Sequence, residues 1–469
     1  MAPMADGEIH YESRMSDSDK LMWTIEHNPM LRSTITSVVL LDRAPDRAAM
    51  TDIIDRASRK VPRLRQRVVS NPLSVAPPRW EVDPNFDLGY HLRWMRSGGD
   101  GSLQDLFDIA EPIAMQGFDR ARPLWEYTVV EGLADGKAGL IMKIHHAITD
   151  GVGGVALMLA TFDLEREPGD RGPMPEAPEV HVMNQRERFL DAMAHEGRRG
   201  AGIAKRSIGT VVGALGLAAA DPVGTSGVVN ETAQSVLRML QPASDPLSPI
   251  MRHRSLSVHF DVLTVPLDEA KRAAKRAEGK LNDAFLAGLI GGWRRYHDHH
   301  GARVDTLRMS MPINVRSDET RDQAGNQFAP ARFPVPLDVE DPVELMRTVH
   351  ELVEGARTEP ALALLDPMAG LLNRFPKELA TGLFGSIMKG IDFTASNVPG
   401  APIPLYLAGA GFLGQFAFGP MAGAASNVTL LSYLNDLNIG FNTDPAAVPD
   451  PDVLMDSMRA SFDEILALA

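Results

Sequence analysis

Two adjacent histidines followed by an aspartate and a glycine are the residues of this chain best suited to chemistry. His145 and His146 end the apolar run 139–146, and Asp150 and Gly151 follow shortly after. Neighbouring side chains of a strand point to opposite faces, so we expect the two imidazoles to do different work. A histidine with a pKa near ~6.5 can take a proton from a hydroxyl at neutral pH. The spacing therefore predicts one structural histidine and one that faces a cleft as a candidate general base.

The residues after the histidines allow two further interpretations. A carboxylate at Asp150 could hold the loop by pairing with an arginine, and Gly151 gives the turn access to a positive φ. A metal site built from His145, His146 and Asp150 is disfavoured, because the two imidazoles diverge and local spacing supplies no further ligand. From the residues alone, catalysis and a purely structural role for the pair stay equally open.

The composition excludes several other kinds of chemistry. The 469 residues contain no cysteine, which excludes disulfides, thiolate metal sites and a cysteine nucleophile. The net charge of -14 argues against a nucleic-acid partner, because chains that bind nucleic acid are usually basic. Residues 1–20 are polar and lack an apolar core, so we expect no secretory signal and a cytoplasmic location.

Strands and helices alternate on both sides of a break in composition. The break lies at 163–180, where proline, glycine and charged residues dominate. Before it, the patterns predict strands at 34–42 and 139–146 and helices at 45–58 and 151–162; after it, strands at 255–266 and 304–313 and helices at 267–277, 282–298 and 451–466. The alternation predicts two α/β domains, at 1–170 and 253–469, joined by a helical connector at 171–252.

A basic and then apolar segment lies within the connector. Four cations, Arg198, Arg199, Lys205 and Arg206, precede the apolar stretch 207–220. At 1.5 Å per helical residue this stretch is too short to cross a bilayer. It is either a helix that lies on a lipid surface or, as is commoner for such runs, a helix packed between domains.

The histidine segment resembles a known motif. HHAITDG, at 145–151, is similar to the HHxxxDG motif of the CoA-dependent acyltransferase superfamily. Three further stretches match motifs of one group within it, in the same order along the chain: Pro123-Leu124-Trp125, Asn282-Asp283 and Ser396-Asn397-Val398-Pro399-Gly400. The chain thus resembles the bacterial wax ester synthase/diacylglycerol acyltransferase family over nearly its whole length. One departure is Ala401, where that family usually has proline.

The resemblance implies a fold and roles for the motif residues. It implies two chloramphenicol-acetyltransferase-like domains, each a mixed sheet with flanking helices, that form a pseudo-dimer around a channel. His146 would be the general base, and His145 would orient the loop. Asp150 would point away from the substrate and pair with Arg65, with Arg67 as the next candidate.

The other motifs have weaker assignments. By the resemblance Asn282 and Asp283 shape the site, although a structural helix cap is the commoner role for an asparagine such as Asn282. Arg316 would meet CoA phosphates or an acidic carrier, whereas an exposed arginine without a partner is the commoner outcome. Asn397 and Gly400 would contact substrate or simply form a turn. The stretch Pro123-Leu124-Trp125 is expected in the core, and the Gly-rich stretch 408–425 either in the core or along an acyl tunnel.

The resemblance predicts an O-acyltransferase. Acyl-CoA would donate a long acyl chain directly to a hydroxyl of diacylglycerol or a fatty alcohol, with no cofactor, no metal and no acyl-enzyme. The partners would be acyl-CoA and a lipid acceptor, at the surface of a membrane or lipid droplet. Two alternatives remain: an enzyme that uses a carrier-protein thioester as donor, and a non-catalytic protein that binds lipid surfaces.

Overall fold

A computed structural model describes residues 11–70, 76–148, 157–167, 169–198, 245–314, 328–358, 369–370, 372–373 and 376–469. These residues form two six-stranded sheets and a small two-stranded sheet, with helices packed on them. We refer to the described residues up to 198 as the N-terminal half and to those from 245 onward as the C-terminal half. The predicted mixed α/β class is confirmed.

The strands and helices follow one another along both halves. The strands are β1 (Thr34–Leu41), β2 (Gln66–Val69), β3 (Arg79–Val82), β4 (Leu92–Arg96), β5 (Trp125–Glu131), β6 (Ala138–His145), β7 (His259–Pro266), β8 (Thr306–Asn314), β9 (Phe328–Pro336), β10 (Phe393–Val398), β11 (Tyr406–Leu407), β12 (Ala410–Phe418), β13 (Ser426–Tyr433) and β14 (Asp436–Thr443). The helices are α1 (Asp17–Ile25), α2 (Arg47–Lys60), α3 (Leu88–His91), α4 (Leu103–Met115), α5 (Leu267–Arg276), α6 (Leu281–His299), α7 (Pro342–Arg357), α8 (Lys377–Met388) and α9 (Pro451–Leu466). Unlabelled helical stretches cover 157–161 and 185–198.

The first sheet places the histidine-bearing strand at its centre. Its strand order is β11-β12-β1-β6-β5-β4. β6 lies antiparallel to β1 on one side and antiparallel to β5 on the other, with Thr34 opposite His145. A strand paired on both sides has its backbone hydrogen bonds satisfied along its length, so the end of β6 is held in a fixed position.

The second sheet forms the C-terminal half with its own core. Its strand order is β7-β14-β13-β10-β8-β9, and β10 lies parallel to both neighbours. The buried helix α6 packs against α9, and three glycines of α6 permit the close approach. A Cβ at Gly288 would lie 2.6 Å from a Phe462 ring carbon, and a Cβ at Gly292 would lie 2.2 Å from Met458 Sδ.

Two strands of the C-terminal half join the first sheet. β12 runs antiparallel to β1, with Phe416 opposite Val38, and β11 pairs with β12. Phe418 of β12 stacks on Phe260 of β7 at 4.0 Å between ring centroids. Residues 406–418, which fall inside the predicted unit 253–469, therefore lie in the sheet of the other half. The limits of the three predicted units remain predictions.

Most predicted elements occur close to their predicted positions, and the differences have local causes. α2 begins at Arg47 because the Asp46 carboxylate accepts a hydrogen bond from Ala49 N at 2.8 Å, so Pro45 lies before the helix. β7 begins at His259, four residues after the predicted start at 255. Most of the basic and apolar segment 198–220 lies outside the described residues. In the described part of the chain, every helix is too short or too polar to cross a membrane.

A histidine links the two halves by charge. His259 Nδ1 lies 3.1 Å from Glu111 Oε1 on α4, and His259 Nε2 lies 3.2 Å from Asp261 Oδ2. The same Glu111 oxygen accepts a hydrogen bond from Phe260 N at 2.8 Å. The hydrogen bonds with Asp261 and Glu111 raise the pKa of His259 to about 10.

This raised pKa predicts a stability contribution that depends on pH. Below the ordinary histidine value of 6.5 the contribution is complete, and it disappears as the pH rises through about 10. We therefore expect His259→Gln to lower the melting temperature most below pH 6.5 and least above pH 10. Thermal unfolding across this range measures the effect, with the exposed His253→Gln as a matched control. A deficit of His259→Gln that stays constant with pH would contradict this assignment.

Candidate active site

The end of β6 fixes the backbone of both histidines. His145 N donates to Leu124 O at 3.0 Å, and His146 N donates to Ser33 O at 2.9 Å. The chain then turns, since Ile148 N donates back to His145 O at 2.9 Å. The two histidines are therefore held from the β5 side and from the β1 side at the point where the strand ends.

The imidazole of His145 is buried and bound through both of its nitrogens. Its Nε2 lies 2.8 Å from Glu26 Oε1, and its Nδ1 accepts a hydrogen bond from Ala147 N at 3.0 Å. Because a backbone N–H can only donate, Nδ1 carries the lone pair and Nε2 carries the proton. The rings of Trp23 and Phe118 pack edge-on against the imidazole. A ring held in this way has a fixed orientation and is hydrogen-bonded to the turn that follows it, while the loop-orienting role of His145 in catalysis remains a prediction.

Glu26 is a site residue that sequence reasoning missed. Burial by itself would raise its pKa, but the hydrogen bond from His145, the hydrogen bond from Ser33 N and the charge of Arg120 together lower the pKa below its ordinary 4.5. Oε1 accepts from Ser33 N at 2.7 Å as well as from His145. The signal in the sequence is faint: Glu26 directly follows α1, on which Trp23 touches the same imidazole.

Removing the Glu26 carboxylate should destabilise the histidine turn. Glu26→Ala leaves two buried donors unsatisfied, and we expect it to lower the free energy of unfolding by about 1–3 kcal/mol. Glu26→Gln keeps an acceptor oxygen and should lose less. Because the pKa of Glu26 is lowered by folding, the advantage of the wild type over Glu26→Gln should hold above pH 4.5 and shrink as the pH falls below that value. Urea unfolding at several pH values measures both effects; equal stability of Glu26→Ala and wild type would refute this role.

His146 occupies a different environment from His145. It is half-buried, and the alternation of side chains along β6 directs it to the opposite face. Ala147 and Ile148, which follow it, belong to the same apolar cluster as Ala401. The histidine motif and the residue after Gly400 are thus part of one core, even though they come from different halves of the chain.

Two predicted site residues of the C-terminal half contact each other. Asn397 Nδ2 donates to Asn282 Oδ1 at 3.3 Å, which joins the end of β10 to the start of α6. The prediction that Asn282 caps a helix is wrong, because α6 begins at Leu281 with Lys280 as its N-cap. The capping carboxylate is Asp283, which accepts from Lys280 N at 2.7 Å. Because Asn282 does not cap the helix, its side chain can accept the hydrogen bond from Asn397.

Asp283 is a buried structural carboxylate. Only 2% of the residue is exposed, and its Oδ2 also lies 2.9 Å from His350 Nδ1 on α7. It therefore fixes the first turn of α6, on which Asn282 sits, against a neighbouring helix.

Gly400 permits a close approach of two backbone segments. Its N–H donates to Ser432 Oγ at 3.1 Å, and a Cβ at this position would lie 1.7 Å from Ser432 O. A contact this short is impossible, so any side chain at position 400 would push the segment after β10 away from β13. The need for glycine here comes from packing.

We expect Gly400→Ala to destabilise the fold, because the strands must separate to admit the methyl group. Overpacking of this kind costs about 1–3 kcal/mol. Gly355→Ala is the matched control, since Gly355 is exposed on α7 and has nothing within 4 Å of its Cβ position. That change should be neutral or stabilise the helix by up to about 1 kcal/mol. Chemical denaturation distinguishes the two, and a Gly400→Ala protein as stable as Gly355→Ala would show that the contact relaxes freely.

Arg65, the predicted partner of Asp150, is bound to residues of α2. Its guanidinium lies 2.5 Å from Asp55 Oδ1, donates to Ser58 Oγ at 3.0 Å and stacks on the Phe86 ring at 4.4 Å. Its segment is a 3-10 helix (Pro62–Arg65) that leads into β2. Arg67, the next candidate, lies on β2. Asp150, Gly151 and Arg316 lie outside the described residues, so their roles and the pairing of Asp150 remain predictions.

A buried lysine lies beside the histidine turn. Lys143 precedes His145 by two residues on the same face of β6 and is 0% exposed. Its Nζ lies 4.0 Å from Glu126 Oε1 and 4.5 Å from the centroid of the Phe118 ring. Burial lowers the pKa of Lys143 to about 8. The Phe118 ring thus separates a buried cation from the imidazole of His145.

Solved structures with the same architecture define the class of fold. The wax ester synthase/diacylglycerol acyltransferase from Marinobacter aquaeolei VT8 aligns with a TM-score of 0.61 at 18% identity and covers 96% of this chain and 98% of that chain. The first condensation domain of the CDA synthetase aligns with a TM-score of 0.58 at 17% identity, covering 98% and 97%. These likenesses confirm the predicted two-domain, chloramphenicol-acetyltransferase-like fold.

The sequence comparisons define the family within that fold. Residues 15–285 match the wax ester synthase/diacylglycerol acyltransferase catalytic domain, and residues 324–466 match the WS/DGAT C-terminal domain. The chain therefore belongs to the wax ester synthase/diacylglycerol acyltransferase family, as its motifs predicted.

Relatives in this family cover nearly the whole chain. A putative diacylglycerol O-acyltransferase from Mycobacterium tuberculosis strain H37Rv is 38% identical over 460 residues, 97% of this chain and 93% of the relative. The probable diacylglycerol O-acyltransferase tgs1 from the same strain is 26% identical over 434 residues, covering 91% and 89%. The similarity therefore extends through both halves and the connector.

Proposed function

We propose that the chain transfers a long-chain acyl group from acyl-CoA to the hydroxyl of a lipid, with His146 as the general base. The proposal rests on the hydrogen bonds made by the neighbouring imidazole, that of His145. His145 is buried and has both nitrogens engaged, by Glu26 and by Ala147 N. It has no lone pair to offer a substrate, so the base of this motif is assigned to His146.

The proposed reaction needs a single proton carrier. The imidazole of His146 takes the proton of the acceptor hydroxyl while the alcohol oxygen attacks the thioester carbonyl. Collapse of the tetrahedral intermediate breaks the C–S bond, and the departing CoA sulfur takes the proton from the imidazolium. A thiol with a pKa of ~8.5 is a good leaving group, so neither an acyl-enzyme nor a cofactor is required.

The acceptor is proposed from the relatives. Those at 38% and 26% identity carry the name diacylglycerol O-acyltransferase, which makes diacylglycerol the first acceptor to test and triacylglycerol its product. The family model also names wax ester synthases, for which the corresponding acceptor is a fatty alcohol. Both acceptors are water-insoluble, so we place the enzyme on the cytoplasmic side, at the surface of a membrane or lipid droplet.

Other predicted residues receive supporting roles in this proposal. The contact between Asn282 and Asn397 would shape the cleft between the halves, and Gly400 would hold the segment that follows. Asp150 and Gly151 would fix the loop after His146, and Arg316 would meet the CoA phosphates. None of these residues needs to transfer a proton.

We expect His146→Ala to lower the transfer rate by about 10²–10⁴-fold, the contribution typical of a positioned base. Its melting temperature should stay near that of the wild type because the side chain is only half-buried. His145→Ala should instead lose stability, since it removes the partner of Glu26. Release of free thiol, with the product identified by mass, measures transfer, and the exposed His253→Ala serves as control.

Two outcomes would replace the proposal. A folded His146→Ala protein with full activity would exclude His146 as the base. Thiol release from an acyl-carrier protein, with none from acyl-CoA, would assign a carrier-protein donor instead.

A further inference from the structure

Arg120 lies on the segment before β5, beside the groups that hold the His145 imidazole. Its guanidinium stacks on the Trp23 ring, with 4.1 Å between the guanidinium carbon and the ring centroid. The Trp23 ring in turn meets the imidazole of His145 edge-on, at 5.8 Å between centroids. A planar guanidinium over an indole is a favourable pairing, because the face of the ring carries negative charge. Arg120 therefore contacts one of the two rings that pack on His145.

The same guanidinium contacts the carboxylate that binds His145. Arg120 Nη2 lies 3.7 Å from Glu26 Oε2, the oxygen that does not bind the imidazole, and donates to Trp23 O at 3.4 Å. Only 10% of the Glu26 side chain is exposed, so the carboxylate has little contact with solvent. One arginine thus joins the ring and the carboxylate between which His145 is held.

The hydrogen bonds of Glu26 lead from Arg120 to His146. Glu26 Oε1 accepts from Ser33 N at 2.7 Å, and Ser33 O accepts from His146 N at 2.9 Å. Rotation of the carboxylate would move Oε1 away from both Ser33 N and His145 Nε2. The orientation of this carboxylate therefore affects the backbone of the proposed base as well as the neighbouring imidazole.

The ion pair of Arg120 contributes little to stability. The Arg120 side chain is 41% exposed, and exposed pairs of this kind are weak because water screens the two charges. Loss of the guanidinium should therefore leave the fold nearly intact. A reaction rate is more sensitive, since a displacement of about 1 Å at the reacting groups can lower it strongly. The expected signature is a fall in rate without a matching fall in stability.

We propose that Arg120 is a positioning residue, which holds the Trp23 ring and the Glu26 carboxylate in place and through them fixes the histidine turn. The inference rests on the proposed function, because it assigns Arg120 an effect on the step in which His146 takes a proton. The role does not require Arg120 to touch the substrate.

The first test compares two arginines of the same segment. Arg120→Ala should lower kcat for thiol release by about tenfold or more and change KM by less than about twofold. Arg122→Ala is the matched control, because Arg122 also stacks on a ring, that of Tyr90 at 4.2 Å, and pairs with Asp119 at 3.5 Å. The control should keep the wild-type kcat, and both variants should melt near the wild type. Wild-type kcat in Arg120→Ala, or an equal fall in both variants, would overturn the inference.

Added guanidinium tests whether the missing group causes the loss. Because the site is partly open to solvent, guanidinium ion should enter the space left in Arg120→Ala and raise kcat several-fold, at concentrations far below those that unfold proteins. Urea has the same planar shape without the charge and should not raise it. Arg120→Lys keeps the charge but cannot stack as a plane, so its kcat should lie between those of Arg120→Ala and the wild type. An equal response to guanidinium and urea would overturn the inference.

A measurement without turnover separates this inference from the proposed function. With isotope-labelled histidine, the Nε2 proton of His145 can be assigned by nuclear magnetic resonance through its neighbours, the Trp23 and Phe118 rings. Its exchange with solvent should be about tenfold faster or more in Arg120→Ala and unchanged in Arg122→Ala. A chain that releases no thiol but shows this difference would refute only the proposed function. Exchange in Arg120→Ala at the wild-type rate would overturn the inference for Arg120.

Discussion

The site depends on one imidazole that uses both of its nitrogens. His145 donates to the Glu26 carboxylate and accepts from the Ala147 backbone, in a position closed to solvent. These opposite demands fix the tautomer and the ring orientation together, because turning the ring over would put C–H groups where the two nitrogens now bind and would break both hydrogen bonds. These hydrogen bonds also fix the turn after β6, and the turn determines the position of His146. The catalytic proposal is thus a consequence of a structural histidine.

The two halves are joined by pairing and by charge. β12 completes the first sheet from the C-terminal half, and His259 binds Glu111 across the boundary. Halves joined by strand pairing and an ion pair are held together more firmly than domains joined only by a linker. Rigid placement suits a reaction that requires a hydroxyl, a thioester and a base within contact distance.

Local patterns predicted the elements well, and the motifs predicted the family. The strand at 34–41 and the helix at 451–466 follow directly from apolar spacing, since each signal lies within a few neighbouring residues. Glu26 was missed because its partner, His145, lies 119 residues further along the chain. The periodicity of apolar residues predicts local elements and gives no information about contacts over such a separation. The packing at Gly400, where a Cβ would lie 1.7 Å from Ser432 O, could not be predicted either. The sequence does not distinguish a glycine that a turn requires from one that close backbone packing requires.

The return of β12 to the first sheet has a consequence for how the protein is made. When His146 leaves the ribosome, β1 still lacks one neighbour, and that neighbour is not synthesised until Ala410–Phe418. At typical translation rates the wait is on the order of tens of seconds. Throughout it, β1 is an open edge rich in Val and Leu, which other nascent chains could pair with. The nascent N-terminal half therefore keeps this edge unpaired until its last strand arrives from the far end of the chain.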